Sequence, residues 1–290
     1  MDWNWFFSSV AESTAAIVGI FAAFIITKII NNQSVFKNKA NEIELLLSQS
    51  KKFIDLLDNR YFEWYNTRIR EQQLLELYDM YEEYHSSDPD FYFNKLSFSP
   101  YDNNVEIIDV ISTKIVKIKS GDFSKLSDFN IYNQNLDNLI INEREALDQN
   151  VLEIKNHIRN ISRFLVQVKD NPESSKVVNY SIVSIITLFF TGVVYPLSFL
   201  PLKTGQEIIL SFDSFFYILF SFKGGILFIV SIIFLSIMLL FLYINITLRY
   251  NESKLTELEN YTDIQRYSIY LKYLIENQND KSSIVSKKND

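Results

Sequence analysis

Gly224–Leu248, GGILFIVSIIFLSIMLLFLYINITL, is 25 residues without a charge. A helix crosses the hydrocarbon core of a bilayer in about 20 apolar residues. The stretch is therefore expected to be a membrane span, with Gly224-Gly225 at the turn that opens it. Upstream, Val177–Leu202 offers 26 uncharged residues, in which Pro196 and Pro201 are placed to end the helix early. Trp5–Ile30 (WFFSSVAESTAAIVGIFAAFIITKII) also has the length, but carries Glu12 near its start and Lys28 near its end. Its leader, MDWNW, contains Asp2 and no Lys or Arg, unlike the basic leader of a cleaved signal peptide. It reads as a retained first span with Trp3, Trp5, Phe6 and Phe7 at the interface. Ile208–Phe222, 15 residues with Asp213 inside, is short for a crossing and reads as a re-entrant or interfacial hairpin.

Composition agrees with two populations of sequence. The 290 residues are 48% hydrophobic, with 6 Gly, 5 Pro and no Cys, yet long charged stretches separate the apolar runs. Without Cys there are no disulfides, thiolate metal sites or thiol nucleophiles. A net charge of −7 disfavours bulk binding to nucleic acid.

Three spans put the chain ends on opposite sides, and basic residues near the span ends orient them. Lys28, Lys37, Lys39, Arg163, Lys169, Lys176, Arg249 and Lys254 share one side, against Lys203 and Lys223 on the other. The expected arrangement is a multi-pass protein of the inner (plasma) membrane with its amino terminus outside. The first span occupies 1–30, and a helical cytoplasmic domain follows over 31–176. A membrane hairpin takes 177–248, its spans at 177–202 and 224–248 joined by the extracytoplasmic or re-entrant 203–223. A cytoplasmic helix and tail complete the chain over 249–290. The fold class is all-α, with long coiled-coil-like cytoplasmic helices.

That cytoplasmic reading rests on periodicity. Phe36, Ala40, Ile43, Leu47, Ser50, Ile54, Leu57, Tyr61 and Trp64 step by four and three, a heptad seam that can run on to about Tyr84. At 1.5 Å per residue it would make a rod on the order of 70 Å. Leu147, Val151, Ile154, Ile158, Ile161, Leu165 and Val168 form a second run, broken from the following span at Asn171-Pro172. Between them, Asn104–Lys119 fits a short helix with Ile107, Ile108, Ile111, Ile115 and Ile118 on one face. A weaker stripe (Leu258, Tyr261, Ile264, Leu271, Ile275) precedes a last dozen residues of disordered composition. Stripes this apolar must pair with each other or with other subunits.

No catalytic constellation, metal site or cofactor motif stands out, and an enzyme is not expected. His157 sits among Asn156, Arg159 and Asn160 and reads as a solvated helix residue; His85 reads as a helix terminus. The acidic group Asp79, Glu82, Glu83, Asp88 and Asp90 reads as a solvated face.

The first span is unusual. Ala11, Ala15, Gly19 and Ala23 recur every four residues, a ladder of small side chains for close helix packing. Ser8, Ser9, Glu12, Ser13 and Thr14 make its outer half polar. Glu12 lies seven residues past Trp5, about 10 Å along the helix, where an ionised group is costly. Two arrangements fit. Copies of the helix surround an aqueous path lined by Ser8, Ser9, Glu12 and Thr14, with Glu12 an acidic ring that favours cations. Alternatively Glu12 is neutral or hydrogen-bonded in a packed bundle, or lies in a shallow interface. In the second span, Pro196 has no N–H to donate and would clash with the Gly192 carbonyl, marking either a hinge or the helix end.

The segment SSVAESTAAIVGIFAAFIITKI (residues 8–29) resembles the first span of some bacterial integral membrane proteins. A short pore-lining span joined to a larger helical region also resembles the channel-type effectors of bacterial anti-phage systems. The resemblance implies a role in defence, while the polar first span and the long cytoplasmic helices lead to the expectation of a homo-oligomeric ion channel gated through those helices by a signalling ligand or partner protein. The other expectation is a membrane-anchored helical sensor or scaffold without a pore.

Overall fold

A computed structural model describes residues 3–120, 134–200, 213, 216–217 and 220–286. Among these no strand occurs, and three stretches, Asn4–Asp58, Lys176–Phe199 and Phe222–Asn260, are long and apolar enough to cross a membrane. The expected re-entrant or interfacial segment, 208–222, falls largely outside the described residues. The helices are α1 Trp3–Asp58, α2 Phe62–Tyr84, α3 Pro89–Lys95, α4 Asn104–Lys119, α5 Gln134–Val168, α6 Lys176–Phe189, α7 Tyr195–Phe199, α8 Phe222–Thr247, α9 Glu252–Asn260 and α10 Ile269–Ser286. Helix α10 thus continues into the dozen residues of disordered composition.

The chain forms two compact units, Met1–Ile43 with Gln167–Glu252, and Glu44–Val166 with Ser253–Asp290. Their boundaries differ from those drawn from hydropathy. Residues 31–43 and 167–176 fall in the first unit, together with the spans. Helix α1 contributes to both units without a break.

In the first unit, Val18, Ala22, Ile25 and Ile29 of α1 pack on Val178, Ile182, Ile185 and Phe189 of α6, on Val193, and on Met238 of α8. Phe189 stacks on Phe234 with centroids 4.0 Å apart. Helix α8 buries Gly224, Ser231, Met238 and Asn245, one residue every seven, and little else. A repeat of seven keeps one narrow line of a helix against its neighbours. Helix α5 ends where Asp170 and Asn171 adopt positive φ (64° and 47°), ahead of Pro172. Asp and Asn tolerate that left-handed conformation better than most residues.

In the second unit, the carboxyl part of α1 lies antiparallel to α5. Ser50 meets His157, and Arg60 meets Glu143. The main core holds Leu57, Phe62, Tyr65, Tyr101, Ile140, Leu147, Val151, Ile154, Tyr267, Leu271 and Leu274. A second core joins α2, α3 and α4 through Leu77, Tyr92, Leu96, Ile107, Ile111 and Ile115. Asp88 caps α3 by accepting from the Asp90 N–H, and Asn103 caps α4 by accepting from the Val105 N–H. These caps place α4 over the residues its periodicity predicts.

Two expectations need correction. The 70 Å rod is two helices. The Asn59 side chain donates to the Asp55 carbonyl at 2.7 Å and the Arg60 N–H to the Leu57 carbonyl at 3.0 Å, ending α1 at Asp58. After the turn the buried positions slip by one residue. Phe62 and Tyr65 enter the core while Tyr61, an expected seam member, is 70% exposed.

His157 is not solvated; it is buried opposite Ser50, the only polar member of the first seam. The Ser50 hydroxyl donates to the Leu46 carbonyl at 3.0 Å and lies 2.9 Å from His157 Nε2. With the hydroxyl proton so engaged, Nε2–H is the donor. Phe53 and Tyr267 flank the ring, and the Tyr267 hydroxyl donates to the Tyr261 carbonyl at 3.0 Å. This pair has the spacing of a nucleophile and its base, but both side chains are sealed from solvent.

Burial lowers the His157 pKa, opposed only by the Leu46 carbonyl. A lowered histidine pKa leaves stability intact above the unfolded value of 6.5 and removes it as pH falls below that value. The melting temperature of the detergent-solubilised protein should therefore fall on acidification from pH 7 to 5.5. His157→Gln, which keeps a donor for Ser50 but does not titrate, should flatten that decline; an unaltered profile would contradict the assignment.

Candidate functional site

The first span divides into three lengthwise sectors at about 100° per residue. One sector, Val18, Ala22, Ile25 and Ile29, is buried against the chain's own helices. A second carries the bulky Ile17, Ile20, Phe21 and Phe24, all exposed. Over residues 8–23 the third holds Ser8, Ser9, Glu12, Ala15, Ala16, Gly19 and Ala23, every one small except the glutamate. Ser9 is half-buried and the rest of this sector is exposed. Nothing lies within 4 Å of a Cβ built on Gly19, and Glu12 makes no ion pair or hydrogen bond among the described residues. A carboxylate and a flat, small-residue strip therefore share a face that the described residues leave uncovered.

Two residues assigned to these sets from sequence lie elsewhere on the helix. Ala11, the first rung of the small ladder, is buried on the core side. Thr14, read as pore-lining, packs on the second span. A Cβ on Gly192 would fall 2.3 Å from Thr14 Cγ2 and 2.9 Å from Thr14 Cβ. Gly192 is thus required by the close approach of the Thr14 side chain.

Gly192 sits in the π-helical turn Phe190–Val194, where the Tyr195 N–H bonds to the Phe190 carbonyl. The wider turn takes up Pro196, which cannot donate and would otherwise press on the carbonyl four residues back. Pro196 is buried, and α7 carries the span on to Phe199. Of the two readings of TGVVYP, a hinge or the helix end, the helix does not end there: it passes through a bulge and runs on to Phe199.

The polar centre of this unit, Glu173, escaped the sequence reading because it sits among turn formers. It is buried, and its carboxylate takes Lys39 Nζ at 2.7 Å and the Tyr250 hydroxyl at 2.7 Å. Its backbone carbonyl accepts from Asn32 Nδ2 at 3.1 Å. Tyr250 stacks on Phe36 with centroids 4.8 Å apart and donates its N–H to Asn171 Oδ1. Asn245, fully buried at the end of α8, donates to the Ser175 carbonyl at 3.0 Å and to Asn179 Oδ1 at 2.7 Å. These contacts clasp the same-side ends of all three spans.

Burial by itself would raise the Glu173 pKa, but hydrogen bonds from Lys39 and Tyr250 outweigh it and hold the carboxyl below its ordinary value. That contribution is present above the unfolded value of 4.5 and is lost as pH falls through the lower folded value. Lys39→Met would strand a buried carboxylate and should cost about 3 kcal/mol of stability. The same change in the Glu173→Gln background should cost much less, as read by thermal melts in detergent; equal losses would dissolve the clasp.

Gly192→Ala should lower stability by about 1–3 kcal/mol through overpacking, with Thr14→Gly restoring part of the loss. A neutral Gly192→Ala would show that the two helices do not approach so closely. Compared with known proteins, the chain matches no family model, no curated protein and no solved structure.

Proposed function

We propose that this chain assembles, copy on copy, into an ion-conducting pore of a bacterial inner membrane. The observation that carries the reading is Glu12, an ionisable side chain about 10 Å along a membrane-length helix, on a face that the described residues leave open. An ionised group at that depth faces water or protein because hydrocarbon does not solvate it. Ala15, Gly19 and Ala23 continue the same face with side chains small enough for another helix, or a column of water, to lie against them.

In the assembly the small sector of each first span turns toward the central axis, with Ser8, Ser9 and Glu12 at the conduit. Thr14 belongs to the packing with the second span instead of the path. The sector of Ile17, Ile20, Phe21 and Phe24 and the apolar flanks of α8 meet lipid. The basic residues near the span ends favour an outside amino terminus and a cytoplasmic helical unit, which receives the gating signal. Opening such a pore depolarises the membrane, the output required of a membrane-disrupting defence effector.

Two measurements test this. The purified protein should run in detergent as a symmetric oligomer of at least four copies. A monomer or simple dimer would leave the membrane-anchored scaffold as the better account. In liposomes, Glu12→Gln should lower cation selectivity, or the flux itself, by roughly tenfold, the effect of 1.4 kcal/mol at the acidic ring, with oligomer size unchanged. Equal cation flux and selectivity in the two proteins would remove Glu12 from the path.

A further inference from the structure

The unit formed by 44–166 and 253–290 contains a cleft of about 630 Å³ where α1 gives way to α2. Leu57, almost completely buried, is at its base. Its lining includes three aromatic rings, Tyr61, Trp64 and Tyr270. Tyr61 is 70% exposed, an arrangement that costs the fold an unburied ring beside a core that buries Phe62 and Tyr65.

The charges around the cleft do not cancel. Both arginines that line it are engaged, Arg68 with Glu71 at 2.8 Å and Arg60 with Glu143 at 3.7 Å. Asp58 and Glu63 also line it, and neither forms an ion pair or hydrogen bond among the described residues. Asp58 moreover ends a 56-residue helix whose last turn has no basic side chain. A helix carboxyl end is the negative pole of the helix dipole, where a cation is stabilising and a carboxylate is not. Acidic side chains, a negative helix end and aromatic faces all attract the same partner, because ring faces also carry negative potential.

We propose that this cleft binds a small organic cation, a quaternary ammonium or protonated amine held over Trp64 and the tyrosine rings with Asp58 and Glu63 as its counter-charges. The site lies within one unit and does not depend on the pore. Its test uses the full chain in detergent with no ion gradient, so that its failure leaves the flux measurements intact, and the reverse.

The chain has 3 Trp, so Trp3→Phe with Trp5→Phe leaves Trp64 as the sole indole reporter. Titrating benzyltrimethylammonium chloride at constant ionic strength should give a saturating change in Trp64 fluorescence. Benzyl alcohol and benzoate, which share the ring but lack the positive charge, should bind at least tenfold more weakly. Glu63→Gln and Asp58→Asn should each weaken the cation about tenfold while the melting temperature stays close to that of the parent. A linear, unsaturating response, or benzoate or benzyl alcohol binding as tightly as the cation, would overturn the proposal even if neither variant folds.

Discussion

One buried carboxylate organises the first unit. Glu173 lies in the turn before the second span, and its two oxygens are taken by a lysine that follows the first span and a tyrosine that follows the third. The need to satisfy that charge fixes the order of everything near it. Asn32 reaches its carbonyl, Asn171 holds the backbone of Tyr250, and Phe36 stacks on the tyrosine ring. In hydrocarbon, helix association has no hydrophobic driving force and depends on close packing and polar contacts. A polar clasp at one end can therefore set the register that apolar side chains, all roughly equivalent to lipid, would leave loose. The Asn245 amide, with its bonds to Ser175 and Asn179, extends the clasp one turn into α8.

With register set, the first span has its faces allotted. The side that meets Thr14's neighbour Gly192 and the side chains of α6 is fully used. The bulky sector suits an oily surround. What is left is a strip of alanine and glycine with a glutamate at its amino-terminal end, too small to fill space and too polar at that end for lipid. Such a strip gains nothing in a solitary chain and a great deal where several copies converge, and the proposed pore follows from that asymmetry.

Much of this was legible from periodicity alone. Apolar residues at helical spacing located α4 and α5, and charge-free runs located α8 and the second span, because both patterns reflect burial that the backbone geometry imposes. What periodicity could not carry was direction. The seam through Tyr61 and Trp64 is continuous on paper, yet a side-chain amide at Asn59 competes for a helix carbonyl and turns the chain, so different rings enter the core. His157 looked solvated beside Asn156 and Arg159, because its partner Ser50 is 107 positions away and a lone serine in a seam resembles a blemish. Glu173 was hidden for the same reason, since both of its partners are distant in the chain. Polar pairs across long separations leave no local signature.

The third span buries four residues against its own unit, Gly224, Ser231, Met238 and Asn245, with Phe234, Phe241, Leu242 and Ile244 half-buried beside them. Such a helix should tolerate drift. Any oily residue of similar bulk serves on the remaining flanks, so mutations there would accumulate almost freely as long as overall greasiness is kept. Selection would be felt mainly at those four rungs and the side chains packed beside them, and most of all at the asparagine. A deep mutational scan across this helix would be expected to read like a comb, with long permissive gaps between evenly spaced intolerant teeth.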